Sequence, residues 1–143
     1  MNIYFAGSIR GGRGDAAIYA QLIDHLHAYG DVLTEHVGSP ALTVLDDDGL
    51  PDDALHEQDV AWLFESDVLV AEVSTPSLGV GYEIGRAVER GIQVLCLYRP
   101  RDGRRLSAMI AGCPDVTNVT YRTVDEATAT IDQFFRTVKS SAS

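Results

Sequence analysis

The chain has 143 residues, 45% hydrophobic and 22% charged, and its 21 acidic against 11 basic residues give a net charge of −10. That length suits a single domain with a full core, and the acidic balance argues against a polynucleotide partner, whose phosphates need basic surface. No window approaches the roughly 20 apolar residues of a membrane span; Met1 leads straight into an apolar segment without a basic leader, and only two cysteines are present, so a reduced, cytoplasmic protein away from membranes is expected.

Asn2–Gly7 (NIYFAG) predicts a short first strand, and the glycine-rich loop Ser8–Gly14 (SIRGGRG) follows it. Asp15 is a candidate N-cap for a helix reaching about Tyr29, with Ile18, Leu22, Ile23 and Leu26 on one face and Gly30 as its C-terminal stop. Val32–Val37 reads as a second strand. The segment Gly38–Asp53, with Pro40, Pro51 and the run Asp46–Asp48, reads as a long loop. A helix is expected from about Ala54 to Glu65, with Leu55, Val60 and Leu63 apolar.

The apolar run Val68–Ala71 predicts a third strand covered on both faces. It breaks at Ser74, Thr75, Pro76 and Ser77, and a helix starts near Gly79 and ends near Gly91. Ile92–Tyr98 is a fourth strand with Cys96 in its apolar interior, Leu106–Ala111 a short helix, Val116–Tyr121 a fifth strand. Asp125–Val138 closes the domain as a helix with Ala127, Ile131, Phe134 and Phe135 buried. We read one domain over residues 1–138 and a disordered tail over 139–143.

Strands alternating with helices imply an α/β, three-layer, doubly wound parallel sheet of five strands in the flavodoxin- or Rossmann-like order 2-1-3-4-5. Its switch point lies between strands 1 and 3, where ligands bind outside the carboxyl ends of the strands. The loops after Gly7 and Val73 would then face each other across one crevice.

Each loop has a functional and an ordinary reading. Ser8, Arg10 and Arg13 with several glycine amides suit a phosphate, yet a plain connection with surface arginines fits equally well. The start of the helix at Gly79 is a second anion site, because its first amides lack intrahelical partners. Glu83 lies in the early turns of that helix, where the backbone dipole should keep it ionised at neutral pH. No Lys or Arg occurs between Arg13 and Arg86, whereas Arg99, Arg101, Arg104 and Arg105 crowd together; the cluster is either a solvated loop or the border of an anionic ligand.

Other chemistries fit less well. Gly79-Val80-Gly81-Tyr82-Glu83-Ile84 nearly mimics the dinucleotide fingerprint, but Ile84 replaces its third glycine and the motif does not take its usual place directly after the first strand. His56-Glu57-Gln58-Asp59 is followed by Val60 rather than the second histidine of a zinc helix, and the Asp46–Asp48 run lacks calcium-loop spacing, so no metal is expected. Asp59 alone would be a solvated helix acid; lining the crevice, it would supply the second carboxylate that glycosidic cleavage requires. Tyr4 is either core or a crevice hydroxyl.

The segments YFAGSIRGGRGD, VLTEHV, HEQDVAWL, DVLVAEVSTPSLGVGYEIGRAV, LCLYRP and GRRLSAMI together resemble the 2′-deoxynucleoside 5′-monophosphate N-glycosidases of the nucleoside 2-deoxyribosyltransferase-like superfamily. The resemblance implies hydrolysis between C1′ of deoxyribose and the base, with no metal or organic cofactor. It implies Glu83 as nucleophile, Asp59 as partner acid and Tyr4 as a hydroxyl near the sugar. Ser8, Arg10 and Ser77 would bind the 5′-phosphate, joined by Ser107 from the adjacent subunit of a homodimer. Gly7, Ile9, His36 and Gly79 would line the rest of the substrate pocket. Deoxyribosyl transfer between bases and a non-catalytic nucleotide-binding module are the alternatives. The Pro-Gly-Gly signature expected of a cytokinin-type phosphoribohydrolase is missing.

Overall fold

In the computed structural model, residues 1–9, 15–38 and 50–142 are described. Five parallel strands form one sheet: β1 (Asn2–Ala6), β2 (Asp31–Val32), β3 (Val68–Glu72), β4 (Gln93–Tyr98) and β5 (Val116–Thr120). Their order, β2-β1-β3-β4-β5, is the one expected. Helices α1 (Ala16–Leu26), α2 (Asp52–Phe64), α3 (Leu78–Glu89), α4 (Ala108–Ala111) and α5 (Val124–Ala142) complete the chain. No helix among the described residues is long and apolar enough to cross a membrane.

The period-two alternation of β1, β3 and β4 sorts their side chains into two cores. Ile3, Phe5, Val68, Val70, Leu95 and Leu97 pack with α1 and α5. Tyr4, Ala6, Leu69, Ala71, Val94 and Cys96 pack on the opposite face with Leu63 of α2 and Val80, Ile84 and Ala87 of α3. Tyr4 therefore points at α2 and α3. The parallel register pairs Ala6 with Ala71 and Ala71 with Cys96, so β1, β3 and β4 end at one edge. Both cysteines are free thiols.

Several boundaries differ from the sequence reading for local reasons. The second strand stops at Val32 and turns into a 3₁₀ turn over Glu35–Gly38. Here the Thr34 hydroxyl replaces strand pairing, accepting from Phe5 N–H at 2.8 Å and donating to Phe5 C=O at 2.7 Å. Gly30 is required by contact rather than as a helix stop: a Cβ there would lie 2.0 Å from the carbonyl oxygen of Met1. The first helix ends at Leu26, and the last continues past Val138 to Ala142. Gly91, at φ +76°, closes α3 as expected.

Asp15 occupies the N-cap position of α1 but makes no capping bond. Its carboxylate, 2% exposed, instead takes Arg99 at 2.7 Å and Arg101 at 2.5 Å. Two guanidinium partners outweigh one backbone amide.

Candidate active site

The Tyr4 side chain, only 2% exposed, leaves β1 toward α3. Its hydroxyl donates to Oε2 of Glu83, one turn into that helix. Asp59 of α2 faces the same pair, and its charge pushes the titration of both Tyr4 and Glu83 upward. The three groups that the sequence places on separate elements are thus brought together.

Burial raises the Glu83 carboxyl to about 7, with the neighbouring Asp59 charge adding to the rise and the Tyr4 hydrogen bond opposing it. This corrects the expectation of a fully ionised carboxylate. A helix N-terminus contributes only about 0.3–1 kcal/mol to an acid, and here desolvation is the larger effect. The hydroxyl of Tyr4 is itself driven above its ordinary range, first by burial and then by the Glu83 charge. It stays protonated and acts as a donor.

A clasp joins α2 to α3 beside the two carboxylates. His56 Nε2 lies 2.8 Å from the Tyr82 hydroxyl, which also accepts from Arg86 at 2.6 Å. The Arg90 guanidinium stacks on the Phe64 ring at 3.9 Å. His56 sits one turn before Asp59, and Tyr82 immediately precedes Glu83, so the clasp lies next to both acids in the chain.

The loop that leads into α3 ends at Ser77. Its Oγ accepts from Val80 N–H at 3.2 Å and caps α3. Capping uses a lone pair and leaves the hydroxyl proton available to a ligand. A Cβ on Gly79 would make only ordinary contact, at 3.8 Å from Ser77 Oγ, so the protein's own packing does not demand glycine there. Ser8 is fully buried at the end of β1; its N–H donates to the Tyr19 hydroxyl at 3.0 Å. Its own hydroxyl has no hydrogen-bond partner among the described residues. Gly7 is needed where it is, since a Cβ would lie 2.8 Å from the Tyr19 ring. Ile9 packs half-buried against the core beneath. Arg10 and the side chain of His36 lie outside the described residues.

Ser107 caps the short α4 by accepting from Met109 N–H at 3.2 Å. It lines a groove of about 790 Å³ together with Ser77, Val80, Ile84, Arg104 and Arg105. That groove runs along the α4 flank of α3, whereas Glu83 faces the α2 flank. The arginine cluster consequently divides: Arg99 and Arg101 are bound inward by Asp15, and Arg104 and Arg105 line the groove.

Sequence reasoning passed over Glu72. It ends β3, is fully buried, and accepts from Ser74 N–H at 2.7 Å, from the Ser74 hydroxyl at 2.8 Å and from the Tyr121 hydroxyl. The available signal was a carboxylate inside the otherwise apolar run VLVAEV.

The sequence matches the nucleoside 2-deoxyribosyltransferase family over residues 3–130. It is 49% identical to a Danio rerio protein named 5-hydroxymethyl-dUMP N-hydrolase, over 96% of this chain and 98% of that one. A Rattus norvegicus protein of the same name is 56% identical over 80% of this chain and 71% of its own. Among solved structures, a CMP N-glycosidase from Clostridium botulinum superposes with a TM-score of 0.69 at 19% identity, covering 94% of this chain and 99% of that one; at that identity the likeness is one of fold.

Proposed function

The chain belongs to the nucleoside 2-deoxyribosyltransferase family, and from that membership we propose that it hydrolyses the N-glycosidic bond of 2′-deoxynucleoside 5′-monophosphates. The products are the free base and 2-deoxyribose 5-phosphate. The names of its relatives support this activity, and the observation that carries it to the site is the Tyr4–Glu83–Asp59 cluster beside the serine-capped start of α3.

In this reading Glu83, ionised, attacks C1′ as the base departs, giving a glycosyl ester and passing through oxocarbenium character at C1′. The adjacent acids share one proton, and with Glu83 ionised it lies on Asp59, which donates it to the leaving base. Asp59 then takes one from the water that opens the ester, which returns both acids to their starting states. Tyr4 holds the Glu83 carboxylate and packs near C2′, where a ribonucleotide would carry an extra hydroxyl. Ser8, Ser77, Arg10 and the first amides of α3 bind the 5′-phosphate, and that binding energy sets C1′ over Glu83. Gly7, Ile9, His36 and Gly79 line the remainder of the pocket.

The quaternary reading is a homodimer in which Ser107 of one subunit reaches the phosphate bound by the other. Leu78 and Met109, 96% and 82% exposed, stand beside Ser77 and Ser107, and large apolar side chains on a groove rim suit a second copy of the chain. The two free thiols fit a reducing cytoplasm.

The family's name also admits transfer of deoxyribose to a second base. The phosphate site favours hydrolysis, because the transferases of the wider superfamily act on nucleosides. A panel of deoxy- and ribonucleoside monophosphates, led by 5-hydroxymethyl-dUMP and with the matching nucleosides as controls, tests the assignment. Base release should require both the phosphate and the missing 2′-hydroxyl, and added free base should give no exchanged nucleotide. Nucleosides reacting as fast as nucleotides would overturn the phosphate site.

A further inference from the structure

Glu72 and Asp15 are both essentially buried and neither belongs to the Tyr4–Glu83–Asp59 cluster. A buried carboxylate costs several kcal/mol unless its partners are well placed, and an ordinary strand–helix connection needs none. Here there are two, gripping consecutive residues of one loop. Glu72 binds the backbone and hydroxyl of Ser74, and the same Ser74 hydroxyl accepts from Arg99 N–H at 2.8 Å. Thr75 donates to Asp15 at 3.0 Å, and Asp15 holds Arg99 and Arg101. Tyr121, just past β5, closes the Glu72 side of the network. The segment Val73–Ser77 is therefore tied to the start of α1 and to the ends of β3, β4 and β5.

We infer that Glu72 and Asp15 are positioning residues for the substrate's 5′-phosphate, presetting the Ser74–Ser77 loop so that the Ser77 hydroxyl and the first amides of α3 converge on it. This rests on the deoxynucleotide reading of the site. A preformed anion cradle avoids an ordering cost on binding. Two acids beside an anion would repel it unless their charges were engaged, and each is: Asp15 by two guanidinium groups, Glu72 by three donors.

The test is steady-state kinetics on a deoxynucleoside 5′-monophosphate, with inorganic phosphate as competitor, for Glu72→Gln, Asp15→Asn, Tyr121→Phe and Thr75→Val. Either amide variant replaces an acceptor oxygen with an NH₂ facing donors. The expected result is a rise in KM of about tenfold or more with a parallel rise in the phosphate inhibition constant, while kcat stays within about threefold. Thr75→Ser should restore both constants. If the acid variants do not fold, Tyr121→Phe and Thr75→Val carry the test, since each removes a single bonding group. Unchanged KM and phosphate inhibition in folded variants would overturn the inference, as would a loss of kcat with KM unaltered. Failure of the wild-type protein to release base would instead overturn the activity. In that case inorganic phosphate binding measured by calorimetry on the same variants still decides the anchor's role: weakened binding supports it and equal binding refutes it.

Discussion

The hydroxyl of Tyr4 donates to the carboxylate of Glu83 across 79 residues of sequence. The contact exists because alternation along β1 turns Tyr4 to the face covered by α2 and α3, and because the Val73–Ser77 loop leads from β3 into α3. It joins the sheet's first strand to the helix at the switch point, and it gives a half-buried acid a neutral donor that favours its charge.

Removing that donor should therefore weaken the nucleophile more than the fold. Tyr4→Phe keeps the ring in its core and deletes one bond to a charged group, worth about 1.5–3 kcal/mol. The acid limb of the pH profile should move to higher pH, and kcat should fall by about 10- to 100-fold, both read from base release at several pH values.

The raised Glu83 value fixes the direction of pH dependence. If Glu83 attacks as a carboxylate, kcat/KM rises as pH passes upward through about 7. A profile that falls over that range would make Glu83 the proton donor and Asp59 the nucleophile.

The same shift has a stability consequence. The folded carboxyl titrates near 7 against an ordinary 4.5, so its proton is held more tightly in the folded state. The stabilisation that follows is fully present below about pH 4.5 and is lost as pH rises through about 7. Glu83→Gln, which retains an acceptor for Tyr4, should melt above wild type at pH 8. We expect about 1–3 kcal/mol, reduced from the full shift because the residue is half-buried, and the difference should shrink toward pH 5. Thermal melts across this range check it.

Ser77 caps α3, and substitution can separate that duty from the phosphate contact proposed for it. Ser77→Ala removes the α3 cap, at about 1 kcal/mol, together with the proposed phosphate donor, whereas Ser77→Gly costs the helix only a few tenths. Both should raise KM for the nucleotide to a similar extent, while only the alanine variant melts clearly lower. Equal KM to wild type in both would remove Ser77 from the phosphate site.

Much of this was legible in the sequence because the strands carry their own signal. The runs around Val68–Ala71 and Val94–Leu97 are apolar on both faces, which defines a central parallel strand, and the loops after them follow from topology. The second strand was overread, because nothing in VLTEHV shows that the Thr34 hydroxyl will take over the ladder. Asp15 does hold the N-cap position, but its side chain makes no capping bond: N-cap chemistry is local, while its arginine partners lie more than eighty residues away. The ionisation of Glu83 was read from its helix position alone, and the burial that overrides it appears only once β1, α2 and α3 are assembled.

The central claim is that the Glu83 carboxylate does the chemistry at C1′. Its most direct test is the rate of free-base release from a deoxynucleoside 5′-monophosphate by Glu83→Gln, measured at the optimal pH of the wild type on protein shown by its melt to be folded. The account predicts a loss of about a thousandfold or more, with nucleotide binding retained. Turnover within tenfold of wild type would contradict it.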